Sequence, residues 1–429
     1  MKPLLEMQAL HEALVNLPNA SLAAARRAAL VQVERNGLPG TRHEDWKYTD
    51  LAPVIEISNE WARIVAAGGH WPTVSPEDIS AVTGQLDIDW IILRNGVIDS
   101  ESLNRVHRAG VTTRLLSDDQ AIPELAGAMS EFNAAMLSDG LLISISKDCD
   151  SERPVGLLHI DSTSGDVGVS QTRIVIDVAE DCAASFVEYH SSSGKAEHYA
   201  NSVLHCTLGT RARVNYVRVQ DRAPTHSQTG SLQVSLAAES EFNHAAFDFG
   251  GRLVRNDLDL SIDGPGSHAT FSGLYLADGS QHIDNHTRVD HKVGPARSDQ
   301  EYRGILADAA RCVWNGKAVV HMGADGTDAN QANHNLLLSE RSEIDAKPEL
   351  EIYADDVKCS HGTTVGQLDK TALFYLRTRG IDETNARQLL TRAFAQQIVE
   401  TAPIGTVKQL VGDLVASKLE RLVSGGAAS

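Results

Sequence analysis

Nothing in the 429-residue sequence approaches the ~20 consecutive apolar residues that span a bilayer. The opening stretch MKPLLEMQALHEALVNL has acids and a histidine set into its apolar pattern. It lacks the unbroken apolar segment of a secretory signal, so a cytoplasmic protein is expected. Basic residues are in deficit, with 38 Lys and Arg against 57 Asp and Glu and a net charge of −19. That balance repels phosphate backbones and anionic lipid surfaces, so no nucleic acid and no membrane is expected as a partner. Aromatic residues are sparse at 5%. A saccharide groove built on aromatic platforms is therefore disfavoured. Cysteine is scarce and scattered: Cys149, Cys182, Cys206, Cys312 and Cys359, no two of them close. CxxC knuckles, zinc ribbons and local cluster motifs are excluded, which leaves free, mostly buried thiols in a reducing compartment.

Short catalytic motifs are missing as well. There is no GxxxxGK[ST]: Gly316-Lys317 has neither the upstream glycine nor the following hydroxyl residue. Asp263–Gly266 reads as a turn, and neither GxSxG nor HExxH occurs. Nucleotide hydrolysis and the common hydrolase chemistries thus have no visible machinery.

What is present is a long run of strands between two helical regions. Residues 4–36 read as helix, with Leu4, Leu5, Leu10, Leu14 and Leu17 at roughly helical spacing. Ser21 is a candidate cap for a second helix over Ala23–Val33, which Gly37-Leu38-Pro39 stops. A dense polar and aromatic run, Arg42–Thr49, follows. From about 140 to 365 short β-like runs succeed one another with Gly, Asp, Asn and Ser at the turns; Thr172–Val178, Ala184–Tyr189, Ser202–Leu208 and Leu253–Ile262 are examples. This exceeds the ~100 residues of an immunoglobulin-type sandwich. Gly273–Asp278 (GLYLAD), ending near His291, resembles Gly304–Asp308 (GILAD), ending near His321, and Asn335–Glu340 is a weaker echo. An offset of about 31 residues suits a solenoid of stacked coils, although a large jelly roll also accommodates the pattern. Beyond Gly366 the helical period returns. Asp369 and Asp382 are candidate caps, Ala386, Leu389, Leu390, Ala393, Phe394 and Ile398 form one stripe, and Val407, Leu410, Val411, Leu414, Val415, Leu419 and Leu422 another. The tail Ser424–Ser429 is expected to fray. The expected fold is mainly β: a β core over 136–365 between a mostly helical region (1–135) and a C-terminal helical region (366–429).

Two groups of candidate ligands stand out. His282, His286, His291, His321 and His334 lie within about fifty residues, but strand alternation at mixed spacings sends them to both faces, and turn or outer-face histidines are expected. Cys359 and His361, if on a strand, share a face, and thiolate and imidazole are ligands of iron–sulfur centres. Two donors cannot enclose a cluster, so a metal role for this pair requires ligands from another chain; otherwise they are a buried Cys beside a turn His.

The stretches Asn333–Ser339, Ile344–Asp345, Pro348–Ile352, Ala354–Gly362, Val365–Gly366, Leu368–Asp369, Leu373–Leu376 and Arg379–Ile381 resemble the C-terminal signature of the SufB/SufD family of iron–sulfur cluster assembly scaffolds. The form is that of its SufD branch, because His361-Gly362 stands where the SufB form has His-Glu. Arg42–Thr49 is similar to the family's N-terminal motif, and the resemblance covers essentially the whole chain. It implies a right-handed parallel β-helix flanked by helices. It implies a non-catalytic subunit of a complex with SufB and two copies of the SufC ATPase, which agrees with the missing P-loop. It also implies a transient iron–sulfur cluster formed where SufB and SufD pair, with no cofactor held stably by this chain alone and reduced flavin at the level of the complex. His361 matches a proposed cluster ligand or sulfur-transfer partner, Cys359 a nearby cysteine of less certain role. The C-terminal helices match the SufC docking element, for which Leu389, Leu390, Ala393 and Phe394 are the candidate residues; their removal is expected to leave the β core folded. Without SufB the chain is expected to pair with itself as a homodimer. The competing reading is a β-helix polysaccharide lyase or hydrolase, for which Asp257 and Asp259, on one strand face, are the formal carboxylate pair.

Overall fold

The computed structural model describes residues 4–69, 72–119, 122–123 and 125–425, with no side chains described beyond residue 422. Strands alternate between two parallel sheets, and successive coils stack to form a solenoid of about eight turns. Sheet A runs, in spatial order, Val155–Ser162, Ala183–Ser193, Arg213–Asp221, Glu241–Asp248, His268–Ala277, Arg297–Leu306, Asp328–Leu337 and Lys358–Gly366. Sheet B runs Gly140–Ile145, Gly168–Val178, His198–Leu208, His226–Leu236, Leu253–Ile262, His282–His291, Arg311–Val320 and Glu343–Ile352. The N-terminal region adds Asp89–Arg94, parallel to Val155–Ser162, to the first edge of sheet A. The open jelly-roll alternative is thereby excluded: every neighbouring pair among these sixteen strands is parallel.

The register explains why the sequence repeat is imperfect. One coil takes 27 residues between Glu241 and His268 but 31 between Arg297 and Asp328. Insertions fall in the corners, where strand pairing does not constrain length. One corner is built the same way repeatedly. Asp181, Arg211, Glu239, Gly266 and Gly326 all have φ between +58° and +79°, each two residues before equivalent rungs of sheet A. A left-handed residue reverses the chain there, at a steric cost that glycine escapes and the other three bear.

Because both faces of each sheet are covered, the strands read as nearly continuous apolar runs in places such as Gly168–Val178. Inward-facing side chains including Leu157, Phe186, Tyr216, Phe242, Phe271 and Trp314 fill the solenoid. The outer face of sheet B meets the N-terminal helices Ala23–Asn36, Ala52–Ala66 and Ala128–Met136, through Val169, Tyr199 and Leu253. The outer face of sheet A carries Leu158, Val187, Tyr189, Val217, Phe247, Leu274 and Ile305. It is covered by Ile398 and Val399 of helix Glu383–Val399 and by Val407, Val411 and Val415 of helix Gly405–Gly425.

That packing makes the C-terminal helices part of the cover of sheet A, which bears against the expectation that the β core stays folded without them. The first helix is also shorter than its leucine spacing suggests. Met7–Ala13 passes into a 3-10 turn at Leu14–Asn16, and Ser21 lies inside a second 3-10 turn, Ala20–Leu22. Ser21 does not cap Ala23–Asn36; its hydroxyl donates to the Ser117 carbonyl at 3.1 Å. Gly37, at φ +67°, ends that helix as expected. The fraying assigned to Ser424–Ser429 falls mostly on residues 426–429, outside the described residues.

Candidate functional site

The last turn of the solenoid is open. Among the described residues, Lys358–Gly366 has a neighbour on one side only, Asp328–Leu337, and Glu343–Ile352 pairs only with Arg311–Val320. Cys359 lies over Ala329 and His361 over Gln331, both of which are buried and inward-facing. The two predicted donors therefore do share one face, that of the lumen, at its uncovered mouth. Cys359 is half-buried and His361 exposed. Burial pushes the Cys359 thiol above its ordinary value, although a backbone hydrogen bond from Ala329 works the other way. His361 is the freer donor. Around them Ile352, Tyr353 and Val365 are exposed apolar side chains, with Val365 52% accessible. The free backbone edge and these apolar groups form a surface another strand can extend.

The other predicted histidines do not converge. His282 and His286 face the N-terminal motif, the first 2.8 Å from the Thr49 hydroxyl and the second 3.0 Å from Asp284. His321 pairs with Asp290 at 2.8 Å, and His334 with Thr364 at 2.8 Å. His291 departs from the outer-face expectation: it points inward, fully buried, with Nε2 2.9 Å from the Ser298 hydroxyl.

Asp257 and Asp259 border a groove of about 610 Å³ between the N-terminal motif and sheet B. Asp257 is engaged by Arg255 at 2.6 Å, and the groove's aromatic residue, Trp46, stacks on the same guanidinium. Asp257 is therefore not free for paired glycosidic chemistry.

In the C-terminal region Asp369 accepts from the Thr371 amide and Asp382 from the Asn385 amide, so both predicted caps are in place. The predicted stripe is split. Ala386, Thr391, Ala395, Ile398 and Val399 are the buried positions of helix Glu383–Val399, whereas Leu390 and Phe394 are half-buried and Leu389 and Ala393 exposed. The preceding helix, Lys370–Thr378, buries none of its side chains, and Phe374 is 69% exposed. Phe374, Tyr375 and Leu389 are thus apolar side chains open to solvent.

Comparison with known proteins agrees with this architecture. Residues 159–394 match the family model described as SUF system FeS cluster assembly, SufBD core domain.

The chain belongs to the SufBD family.

Among its relatives, the iron-sulfur cluster assembly protein SufD of Escherichia coli (strain K12) is 28% identical over 396 residues, covering 91% of each chain. The protein of the same name from Bacillus subtilis (strain 168) is 25% identical over 421 residues, 94% of each. A SufBD family protein of Synechocystis is 25% identical over 426 residues, 94% of this chain and 93% of the relative. The family match ends at residue 394, inside the second C-terminal helix, so the helix that completes the cover of sheet A lies outside it.

One constellation escaped sequence reasoning. His159, Glu188 and His190 converge inside the first two coils of this SufBD solenoid, the one group among the described residues with metal-ligand spacing. The signal was there: His159 and His190 are 31 residues apart, one coil, and Glu188 precedes His190 by two, on the same strand face.

Proposed function

We propose that the chain is a non-catalytic scaffold subunit of an iron–sulfur cluster assembly complex. Its open solenoid end pairs with a SufB-type subunit. There it presents His361, with Cys359 beside it, to the nascent cluster as substrate, while the partner supplies the remaining ligands. The C-terminal helices hold a SufC-type ATPase through Phe374, Tyr375, Leu389, Leu390, Ala393 and Phe394.

The observation that carries this reading is the placement of His361 on an edge strand paired on one side, exposed at the mouth of the lumen. A side chain placed there is accessible to a second chain and cannot complete a metal site within its own. The test is His361→Ala in the complex purified anaerobically from cells. Iron and sulfide content should fall while the subunit stoichiometry stays as in the wild type. Full cluster content in that variant would remove His361 from the assembly site.

A further inference from the structure

At the other end of the solenoid the lumen holds a buried donor set. His159 and His190 are register partners on adjacent rungs, and their rings stack with centroids 4.3 Å apart and planes 11° from parallel. Both direct Nε2 at one oxygen, Glu188 Oε1, at 3.1 Å from His159 and 3.0 Å from His190. The Tyr216 hydroxyl donates to the other oxygen, Oε2, at 2.8 Å. The three side chains are almost wholly enclosed.

The surrounding charges do not balance. Asp161 is paired with Arg222, and Asp248 with Arg218 at 3.0 Å. These are two carboxylates against two guanidiniums, so the Glu188 carboxylate is left without a cation of its own. An unpaired buried carboxylate is costly, and a cation held between it and the two imidazoles offsets that cost.

The hydrogen bonding is also incomplete. His159 Nε2 is buried and, though 3.1 Å from Oε1, is not aligned for a hydrogen bond. The donor spacing of 3.0–3.1 Å is close to the edge of a coordination polyhedron with bonds of ~2.1 Å. Beside Glu188 and His190 lies a cavity of about 40 Å³, lined also by Arg218, His244 and Asn256, room for a water or two to fill further positions. The Thr172 hydroxyl, 3.3 Å from His159 Nδ1, can accept that ring's proton when Nε2 ligates. On His190 the neighbour is Arg222, 3.4 Å from Nδ1; a guanidinium only donates, so ligation through His190 Nε2 requires Nδ1 to give up this contact, and Arg222 keeps its bonds to Asp161 and Gln228.

We propose that His159, Glu188 and His190 form an internal binding site for one divalent first-row transition-metal ion. Two imidazoles and one carboxylate with open positions are the donor set suited to iron(II), and also accept cobalt, manganese or zinc. The site is separate from the cluster edge. Six inter-strand steps of sheet A separate Glu188 from His361, roughly 29 Å at ~4.8 Å per step.

The test uses the full chain and cobalt(II) as the probe, loaded by two routes: expression in cobalt-supplemented cells, and refolding in its presence. The wild type should carry about one cobalt per chain, with a visible spectrum free of thiolate charge-transfer absorption. His159→Ala and His190→Ala should lose it. Glu188→Gln keeps the shape and the Tyr216 contact and serves as the conservative variant; its affinity should drop by more than about tenfold with the thermal melt little changed. The double variant Cys359→Ala, His361→Ala should bind as the wild type does, which separates this site from the assembly edge. No stoichiometric cobalt by either route, a thiolate band, full retention in the three lumen variants, or loss in the Cys359/His361 variant would each overturn the proposal.

Discussion

The guanidinium of Arg255 lies 4.4 Å from the centre of the Trp46 ring. The same guanidinium donates to Asp284 at 2.6 Å, to Asp257 at 2.6 Å and to the Asp45 carbonyl at 2.7 Å. The Thr49 hydroxyl donates to Asp284 as well. Through these contacts the run Arg42–Thr49, far away in sequence, is clamped to two adjacent coils of sheet B. Its density of polar and aromatic residues has a structural purpose.

Breaking that clamp should be costly. Asp284→Ala leaves Arg255 buried with only the half-buried Asp257 as counter-ion, so about 3 kcal/mol of stability should be lost, the low end for a broken buried pair. Trp46→Ala removes a cation–π contact worth about 1 kcal/mol. It should mainly speed amide exchange across 42–49. Denaturant unfolding with hydrogen exchange distinguishes a lost clamp from a global effect.

Acid should act at the same place. Burial opposes the charge on Asp284, but Arg255, His286 and the Thr49 hydroxyl together hold its carboxyl below the ordinary aspartate range. A carboxyl depressed in the folded state contributes stability above its unfolded value of ~3.9, lost as the pH falls below that value. Denaturation midpoints should therefore fall below about pH 4 in the wild type, and more shallowly in Asp284→Asn. Parallel profiles for the two would remove Asp284 as a source of acid lability.

The C-terminal helices should show two behaviours. Phe374→Asp and Leu389→Glu change exposed side chains, so stability should stay within about 0.5 kcal/mol. Capture of a SufC-type ATPase in pull-down should drop sharply. Deleting 367–429 should instead destabilise the whole solenoid, because Val187, Tyr189, Val217 and Phe247 lose their cover. A deletion mutant melting like the wild type would contradict the packing described.

The open edge should govern pairing. Val365→Lys places a charge on the edge strand, which discourages strand addition. Light scattering of the isolated chain at rising concentration should show less dimer in this variant than in the wild type, and pairing with a SufB-type partner should weaken in parallel. Equal association would move the interface elsewhere.

Cys359→Ala should affect cluster content less than His361→Ala does. The thiol is half-buried, and burial raises it above its ordinary value, so little thiolate is offered at neutral pH. Iron and sulfide analysis of the two variant complexes side by side gives the ranking. A larger loss in Cys359→Ala would reverse the roles assigned.

The sequence by itself determined the strand-rich repeating core, its helical ends and, granted a strand there, the shared face of Cys359 and His361; the strand pairing decided for the solenoid over the jelly roll. Each follows from a period the backbone enforces: about one coil of residues between repeats, 3.6 along a helix, two along a strand. It also carried the family signature. Tertiary structure alone decided what lies between coils. Coil length varies from 26 residues between Ser227 and Leu253 to 33 between Gly140 and Arg173, so no single period aligns every rung, and the meeting of His159 with Glu188 and His190 appears only once the register is known. Exposure was decided there too. Phe374 sits on a helix that buries no side chain and Leu389 on the exposed side of one that does, and which side of a helix meets sheet A depends on how two helices share one surface. That is a property of the packed assembly of elements, and no local pattern encodes it.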